Sequence, residues 1–211
     1  MALRLTFIGP PGSGKGTQAK LLRREGFLHL SSGDMLRAEI AAGTPLGRSL
    51  AATMAAGALV DDAVLFQVVG AFLAQHRDQS IVLDGYPRTL PQARQLESLG
   101  LHAAVFFEIP DAVILRRLGD RVIGPDGTIY DLQLHPPPPG LPVTRRADDD
   151  PAVHQTRLAA YRAQESELRA FYQTAGLVRL IRAELPLPEV QAQVRALIAD
   201  LSREFEGVPA R

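Results

Sequence analysis

Leu3-Arg4-Leu5-Thr6-Phe7-Ile8-Gly9-Pro10-Pro11-Gly12-Ser13-Gly14-Lys15-Gly16-Thr17-Gln18-Ala19-Lys20-Leu21-Leu22 opens a chain of 211 residues and decides its fold. Leu3 to Ile8 is an apolar run that reads as a buried strand, and Gln18 to Leu22 starts a helix. The glycines between them let the backbone curl so that successive N–H groups face one concavity. The helix N-terminus adds its positive dipole end to the same place. Strand, glycine loop and helix in that order form a phosphate cradle, with Lys15 reaching the β- and γ-phosphates of a nucleoside triphosphate as a mobile point charge. A hydroxyl residue usually follows such a lysine directly and binds magnesium. Here Gly16 intervenes before Thr17, so the metal is expected to be held mainly by phosphates and water. Lysine occurs only at positions 15 and 20 among 23 basic residues. Had the loop needed charge alone, arginine would stand there.

Composition sets limits around that loop. Lys+Arg and Asp+Glu both number 23, so there is no global field for nucleic acid or an anionic membrane. The absence of cysteine rules out disulfides and cysteine-ligated zinc. The first apolar run meets glycine too soon for a signal peptide, and no stretch approaches the roughly 20 apolar residues of a membrane span. A soluble, cytoplasmic protein without nucleic-acid or membrane partners is expected.

Further along, Phe27 to Leu30 reads as a second strand, and Ser32 or Asp34 is placed to cap a helix beginning near Met35. Another helix spans Leu46 to Ala56, and Asp61-Asp62 head a longer one to about Gln75, where carboxylates suit the dipole. Residues 31 to 60 therefore look like a small helical insertion. Ser80 to Leu83 is a third strand, Leu90 to Leu99 a helix, and Ala103 to Ile109 a fourth strand. Asp111 is read as the cap of a helix carrying Val113, Ile114, Leu115 and Leu118 toward Arg121. Residues 122 to 147, with the proline run Pro136 to Pro139, break the alternation and read as an irregular or β-rich insertion. Asp148-Asp149-Asp150-Pro151 starts a helix to about Ala175, Leu177 to Ile181 is the last strand, and Leu187 to Phe205 closes the chain with Val190, Val194, Leu197 and Leu201 on one face. Without the insertions, strands alternate with helices. This predicts an α/β fold with a doubly wound, five-stranded parallel sheet.

In such sheets ligands bind beyond the carboxyl ends of the strands, where Asp84 stands. A carboxylate there can hold magnesium directly or through its waters. Gly85-Tyr86-Pro87 turns the chain and aims Arg88 into the same cleft. Arg37, Arg88, Arg117, Arg121, Arg146 and Arg157 each lie on an insertion or near a strand end, where guanidinium forks match phosphate oxygens. Arg145, Arg162 and Arg169 are read as solvated surface.

Gly9 to Thr17, Ser31-Ser32-Gly33-Asp34-Met35-Leu36-Arg37, Asp84-Gly85-Tyr86-Pro87-Arg88-Thr89, Gln92 and Arg146-Ala147-Asp148-Asp149 together resemble adenylate kinase, in order and through almost the whole chain. The resemblance implies reversible, magnesium-dependent transfer from ATP to AMP giving two ADP. It implies a core of residues 1–30, 61–121 and 158–211, a nucleoside-monophosphate flap at 31–60 and a lid at 122–157. Carried over by position, Lys15, Arg88, Arg117, Arg146, Arg157 and Asp84 are the catalytic set. Gly12, Ser13, Gly14, Lys15, Gly16 and Thr17 would hold the ATP phosphates, with Arg121, Ile129, Tyr130 and Leu185 also meeting ATP. Ser32, Arg37, the backbone of Ala58, Leu59 and Val60, then Gly85, Tyr86, Pro87, Arg88, Gln92, Arg146 and Arg157 would hold AMP. Gln92 would read the adenine edge, since an amide pairs with a donor and an acceptor at once.

The lid entrance departs from the family. Arg117-Leu118-Gly119-Asp120-Arg121 is one residue short, with Asp120 where an arginine would sit, so Arg116 stands as an alternative to Arg117. The lid is short and has no cysteine at the usual zinc positions, so no zinc is expected. His135 is read as solvated. A monomer is expected. A UMP/CMP kinase is the nearest rival; Ser32, Thr89 and the length of the lid argue against it. A nucleotide-switch module would not need arginines on both insertions.

Overall fold

The computed structural model describes residues 2–56, 60–97, 100–133, 135–145 and 150–206. Its centre is a parallel sheet of β1 (Arg4–Ile8), β2 (Leu28–Ser31), β3 (Ile81–Asp84), β4 (Ala103–Glu108) and β7 (Val178–Arg182), in the order β2-β3-β1-β4-β7. The expected doubly wound five-stranded sheet is therefore present. Leu5 pairs with Val82 on one side and Ala103 on the other, so β1 and its glycine loop lie at mid-sheet.

Strand residues alternate between two layers of helix, as a buried parallel sheet requires. Leu5, Phe7, Val105 and Phe107 pack with Ala19 and Leu22 of α1 (Lys15–Leu22), Ile114 and Leu118 of α6 (Asp111–Gly119), and Val190, Val194 and Leu201 of α8 (Leu187–Glu204). Ile8, Ala104 and Phe106 face Ala93 of α5 (Leu90–Glu97) and Leu168 and Tyr172 of α7 (Pro151–Thr174). Leu30, Ile81 and Leu83 pack with α2 (Ser32–Ala41), α3 (Pro45–Ala55) and α4 (Asp62–Gln75) through Leu36, Met54 and Leu65. The Pro/Gly-rich insertion carries an antiparallel hairpin, β5 (Arg121–Ile123) with β6 (Ile129–Asp131), extended by a bridge from Ile123 to Thr144.

Several local expectations change. Ser31, not Ser32 or Asp34, caps α2, accepting from the Asp34 N–H at 3.2 Å. Pro110, not Asp111, is the cap position of α6, and Asp111 is the acid in its first turn. Arg162 pairs with Asp111 at 2.5 Å and with Glu165. Arg169 pairs with Glu108 at 2.9 Å while its guanidinium lies 4.9 Å over Phe106. Arg145 donates to the Gly119 carbonyl at 2.8 Å. Arg145 and Arg162 stay exposed, as their surface reading expects, and Arg169 is half-buried; their contacts pin elements together, each with modest energetic weight. The expected helix end at Leu99 and the helix start at Asp148-Asp149 lie outside the described residues.

Candidate active site

A cleft of about 760 Å³ opens at the carboxyl ends of the strands. Its floor is the glycine loop. Gly12 and Gly14 have φ of 79° and 84°, a left-handed backbone that favours glycine. A side chain at Gly12 would also meet Leu118 at 2.9 Å, so that residue is fixed by packing as well as by conformation. Gly14 is the N-cap of α1, and its carbonyl accepts from Gln18 N at 3.1 Å. Ser13 Oγ and Gln18 Oε1 are buried beneath the loop with no protein hydrogen-bond partner.

Lys15 Nζ donates to the Pro10 carbonyl at 3.1 Å. Withdrawal from water pulls its pKa down to about 8. Asp84 opposes that shift, and Arg88, Arg121 and Arg157 reinforce it. Residues far apart in sequence thus converge on one ammonium group. Asp84 ends β3, and its Oδ2 lies 3.3 Å from His29 Nε2. A Cβ at Gly16 would come within 2.9 Å of the same oxygen. The carboxylate therefore occupies the space a side chain after Lys15 would need, which explains Gly16 at that position.

Arg88 is anchored by its own turn. Its Nε donates to the Gly85 carbonyl at 2.8 Å, and Ser32 Oγ donates to the same carbonyl at 2.8 Å. Gly85 has φ 74°, and a Cβ there would press on Ser32 Oγ and the Arg88 guanidinium at 3.1 and 3.2 Å. The Tyr86–Pro87 peptide is cis. Burial, then Arg157, pushes the Arg88 pKa down; Asp84 opposes this, and Arg37 adds a smaller downward push. Arg37, which also lines the cleft, pairs with Asp34 at 2.5 Å.

At the other end the cleft meets Arg116, Arg117, Arg121, Ile129, Tyr130 and Leu185. The Arg117 guanidinium donates to the carbonyls of Ala183, Glu184 and Leu185 at 2.8, 3.3 and 3.4 Å. In this arrangement it steadies the loop before α8, and Arg116 reaches the same wall. Asp120 closes α6, its N–H bonded to the Arg116 carbonyl at 3.2 Å. Lys20 Nζ donates to Gly127 O at 2.8 Å, joining α1 to the β5–β6 turn.

The cleft wall thus brings together Gly12 to Thr17, Arg37, Asp84, Gly85, Pro87, Arg88, Arg117, Arg121, Ile129, Tyr130, Arg157 and Leu185. Ser32, Tyr86 and Gln92 are buried behind it, and Val60 is buried as well. Ala58, Leu59 and Arg146 lie outside the described residues. Sequence reasoning missed His29 and Lys20 as cleft residues. His135 is exposed, as its reading as solvated expects, and its ring also stacks on Tyr130 with centroids 5.5 Å apart at the edge of the cleft. His29 shares a sheet face with Asp84 because Ser31 registers with Asp84, two positions on. That register joins strands far apart in sequence and leaves no local signal.

Among the described residues no group of three His, Cys, Asp or Glu side chains could hold a metal, and no helix is long and apolar enough to cross a membrane. The sequence model of the family described as Adenylate kinase matches residues 7–177. The chain is 37% identical over 212 residues to an adenylate kinase of Symbiobacterium thermophilum, covering 93% of this chain and 98% of that protein. It is 37% identical over 206 residues to one of Parasynechococcus marenigrum, covering 94% and 100%. Similarity to one of Syntrophotalea carbinolica is 39% over 208 residues, covering 91% and 96%.

Proposed function

The chain belongs to the adenylate kinase family of nucleoside monophosphate kinases, and we propose that it exchanges a phosphoryl group between ATP plus AMP and two ADP in the cleft just described. The observation that carries this reading is the convergence of Arg88, Arg121, Arg157 and Asp84 on Lys15. Phosphoryl transfer spreads negative charge over the moving group, and several fixed cations around one point stabilise that charge where it develops.

In this reading Gly12 to Thr17 hold the ATP phosphates through backbone N–H groups and the Lys15 ammonium. Arg121, Ile129, Tyr130 and Leu185 receive the rest of ATP. Ser32, Arg37, the backbone at 58–60, Gly85 to Arg88 and Gln92 receive AMP, and Arg88, Arg146 and Arg157 bridge both. Arg117 supports the ATP end, with Arg116 as its alternative. The AMP phosphate is already an anionic nucleophile at neutral pH. In-line transfer therefore needs alignment, charge neutralisation and exclusion of water, and no general base. The flap at 31–60 and the lid at 122–157 exclude that water by closing on the core of 1–30, 61–121 and 158–211.

The site fits magnesium. The Asp84 carboxylate, fixed between His29 and Gly16 on the cleft wall, offers oxygen donors that suit that ion. Asp84 would hold magnesium through its waters, with Thr17 beside it on the wall. The ion supplies neutralisation of phosphate charge when bound. No zinc enters this reading, which rests on a chain without cysteine. We also place the protein in the cytoplasm as a monomer, with no nucleic-acid or membrane partner. Among the described residues the large exposed apolar side chains, Leu115, Leu132, Leu180 and Leu187, lie on α6, in the turn after β6, on β7 and on α8, which fits a chain that works alone.

The deciding experiment incubates the protein and Mg-ATP with AMP, CMP or UMP and follows the diphosphates formed. ADP from both ATP and AMP, at a rate well above that with either pyrimidine, supports the reading. Faster turnover of CMP or UMP would overturn it in favour of a pyrimidine nucleotide kinase.

A further inference from the structure

Behind the Arg88 wall a closed ring of hydrogen bonds ties α4 to α5. Asp62, the first residue of α4, accepts from Gln92 Nε2 at 2.5 Å through Oδ1 and from Thr89 Oγ1 at 2.9 Å through Oδ2. Thr89 Oγ1 accepts in turn from the Gln92 backbone N–H at 3.4 Å. On its other side, Gln92 Oε1 accepts from the Arg88 backbone N–H at 2.6 Å. Gln92 is wholly buried.

These partners admit one orientation of the amide. A carboxylate only accepts and a backbone N–H only donates. Turning the Gln92 amide over would set its NH₂ against the Arg88 N–H and its carbonyl against the Asp62 carboxylate. Two buried hydrogen bonds would then become two like-with-like contacts. The Asp62 charge is felt nearby as well: the Tyr86 hydroxyl pKa is pushed up to about 12, first by burial and then by Asp62.

Resting on the reading above that Gln92 meets the acceptor base, we propose that Asp62 is a specificity-determining positioning residue that locks the Gln92 amide to accept 6-aminopurine monophosphates and reject 6-oxopurine ones. Adenine presents an acceptor at N1 beside a donor at its 6-amino group. Hypoxanthine presents the reverse, a donor at N1 beside an acceptor at O6. After serving Asp62, Nε2 keeps one N–H, which pairs with N1 of adenine. Against the N1–H of hypoxanthine it meets another donor, and buried donors are left unpaired. Discrimination of that kind is worth on the order of 100-fold. Without Asp62, turning the amide over would cost one like-with-like contact, at the Arg88 N–H, instead of two; its carbonyl could then meet the N1–H, and the penalty would fall.

The test measures kcat and KM for AMP and for inosine monophosphate, with saturating Mg-ATP, in the wild-type chain and in Asp62→Ala, Asp62→Asn and Gln92→Ala. KM for ATP and the thermal midpoint are recorded alongside. The wild type should favour AMP by about 100-fold in kcat/KM. Asp62→Ala should cut that ratio at least about tenfold, with KM for ATP unmoved, because the loss lies in the lock and not in the donor site. Asp62→Asn keeps the size and the helix start, but its amide can donate or accept. It should cut the ratio at least about threefold, and it carries the test if the alanine variant fails to fold. A wild-type AMP-to-inosine-monophosphate ratio in a folded Asp62→Asn protein, with Gln92→Ala altering that ratio, overturns the lock and leaves the base reading standing. If Gln92→Ala itself leaves both KM for AMP and the ratio unchanged, Gln92 does not meet the base, and the inference falls with that reading.

Discussion

The two ends of the cleft are built on different principles. Around Gly85 to Gln92 the polar groups are held by other protein groups: Ser32 and Arg88 on the Gly85 carbonyl, Gln92 between Asp62 and the Arg88 N–H, Thr89 on Asp62. Around Gly12 to Lys15 the protein supplies a curled backbone, a helix start and an ammonium that donates to Pro10 O, over a buried Ser13 Oγ with no partner among the described residues. The first end is ordered before any ligand arrives and suits discrimination between bases. The second is charged at a cost in desolvation and suits a phosphate chain that every nucleotide shares. Preorganised hydrogen bonds reject the wrong pattern, whereas concentrated charge reads none.

The strongest way to break that contrast is at the charged end. Lys15→Met should lower turnover about 1000-fold or more while the thermal midpoint holds or rises, since a desolvated ammonium has gone. Lys15→Arg should also be badly impaired, because a planar fork does not fit a point-charge position. Near-normal activity of Lys15→Arg in a steady-state assay would show that charge alone suffices. Arg88→Ala removes the cation proposed to bridge both substrates and should lower kcat about 100- to 1000-fold. If kcat at saturation survives and only KM for AMP rises, Arg88 belongs wholly to the preorganised end.

Replacing residues 123–143 with a short Gly-Ser linker removes most of the hairpin and its link to Lys20. Transfer to AMP should fall about 100-fold through misalignment, with a larger share of ATP lost to hydrolysis. Assaying ADP and free phosphate together separates transfer from hydrolysis, and transfer at the wild-type rate would reduce the hairpin to a tolerated loop.

A subtler effect concerns protons. The Lys15 pKa is about 8 in the folded protein and 10.5 for an ordinary lysine. Between those values the unfolded chain binds more protons, so this residue adds stability as pH rises from about 8 to 10.5. Phosphates brought beside it should restore its proton. ATP binding near pH 8.5 should therefore take up a proton, seen as a heat that varies with buffer ionisation enthalpy and vanishes in Lys15→Met. Proton-neutral binding in the wild type would contradict the desolvated ammonium. The smallest change expected comes from Lys20→Met, which cuts the hydrogen bond to Gly127. One part-buried hydrogen bond is worth about 1 kcal/mol, so KM for ATP should rise about fivefold. An unchanged KM would leave that contact without functional weight.

Much of this was legible before any coordinates. The glycine loop, the strand–helix alternation and an insertion that is irregular or β-rich follow from spacing that acts within a few residues, and the structure carries a hairpin in that insertion. The misplaced caps show the limit of that reading. Ser32 and Asp34 are the candidates read from the chain, yet Ser31 takes the cap and Ser32 turns to the Gly85 carbonyl across the strand end. Arg162 and Arg169 look like surface charge in the chain, yet acids on β4 and α6 claim them once the helices pack.

The sequence by itself determined the curled glycine loop with its lysine and helix start, because these are neighbours along the chain and need nothing distant to form. It also determined the doubly wound sheet, because the alternation of apolar runs with amphipathic stretches is a local periodicity. Only the tertiary structure decided that His29 faces Asp84, that Gly16 is small because a carboxylate lies over it, and that Asp62 and Arg88 hold the Gln92 amide from opposite sides. Those contacts depend on strand register and on the angle at which α4 meets α5. Both are fixed by packing between segments far apart in the chain, which no local pattern records.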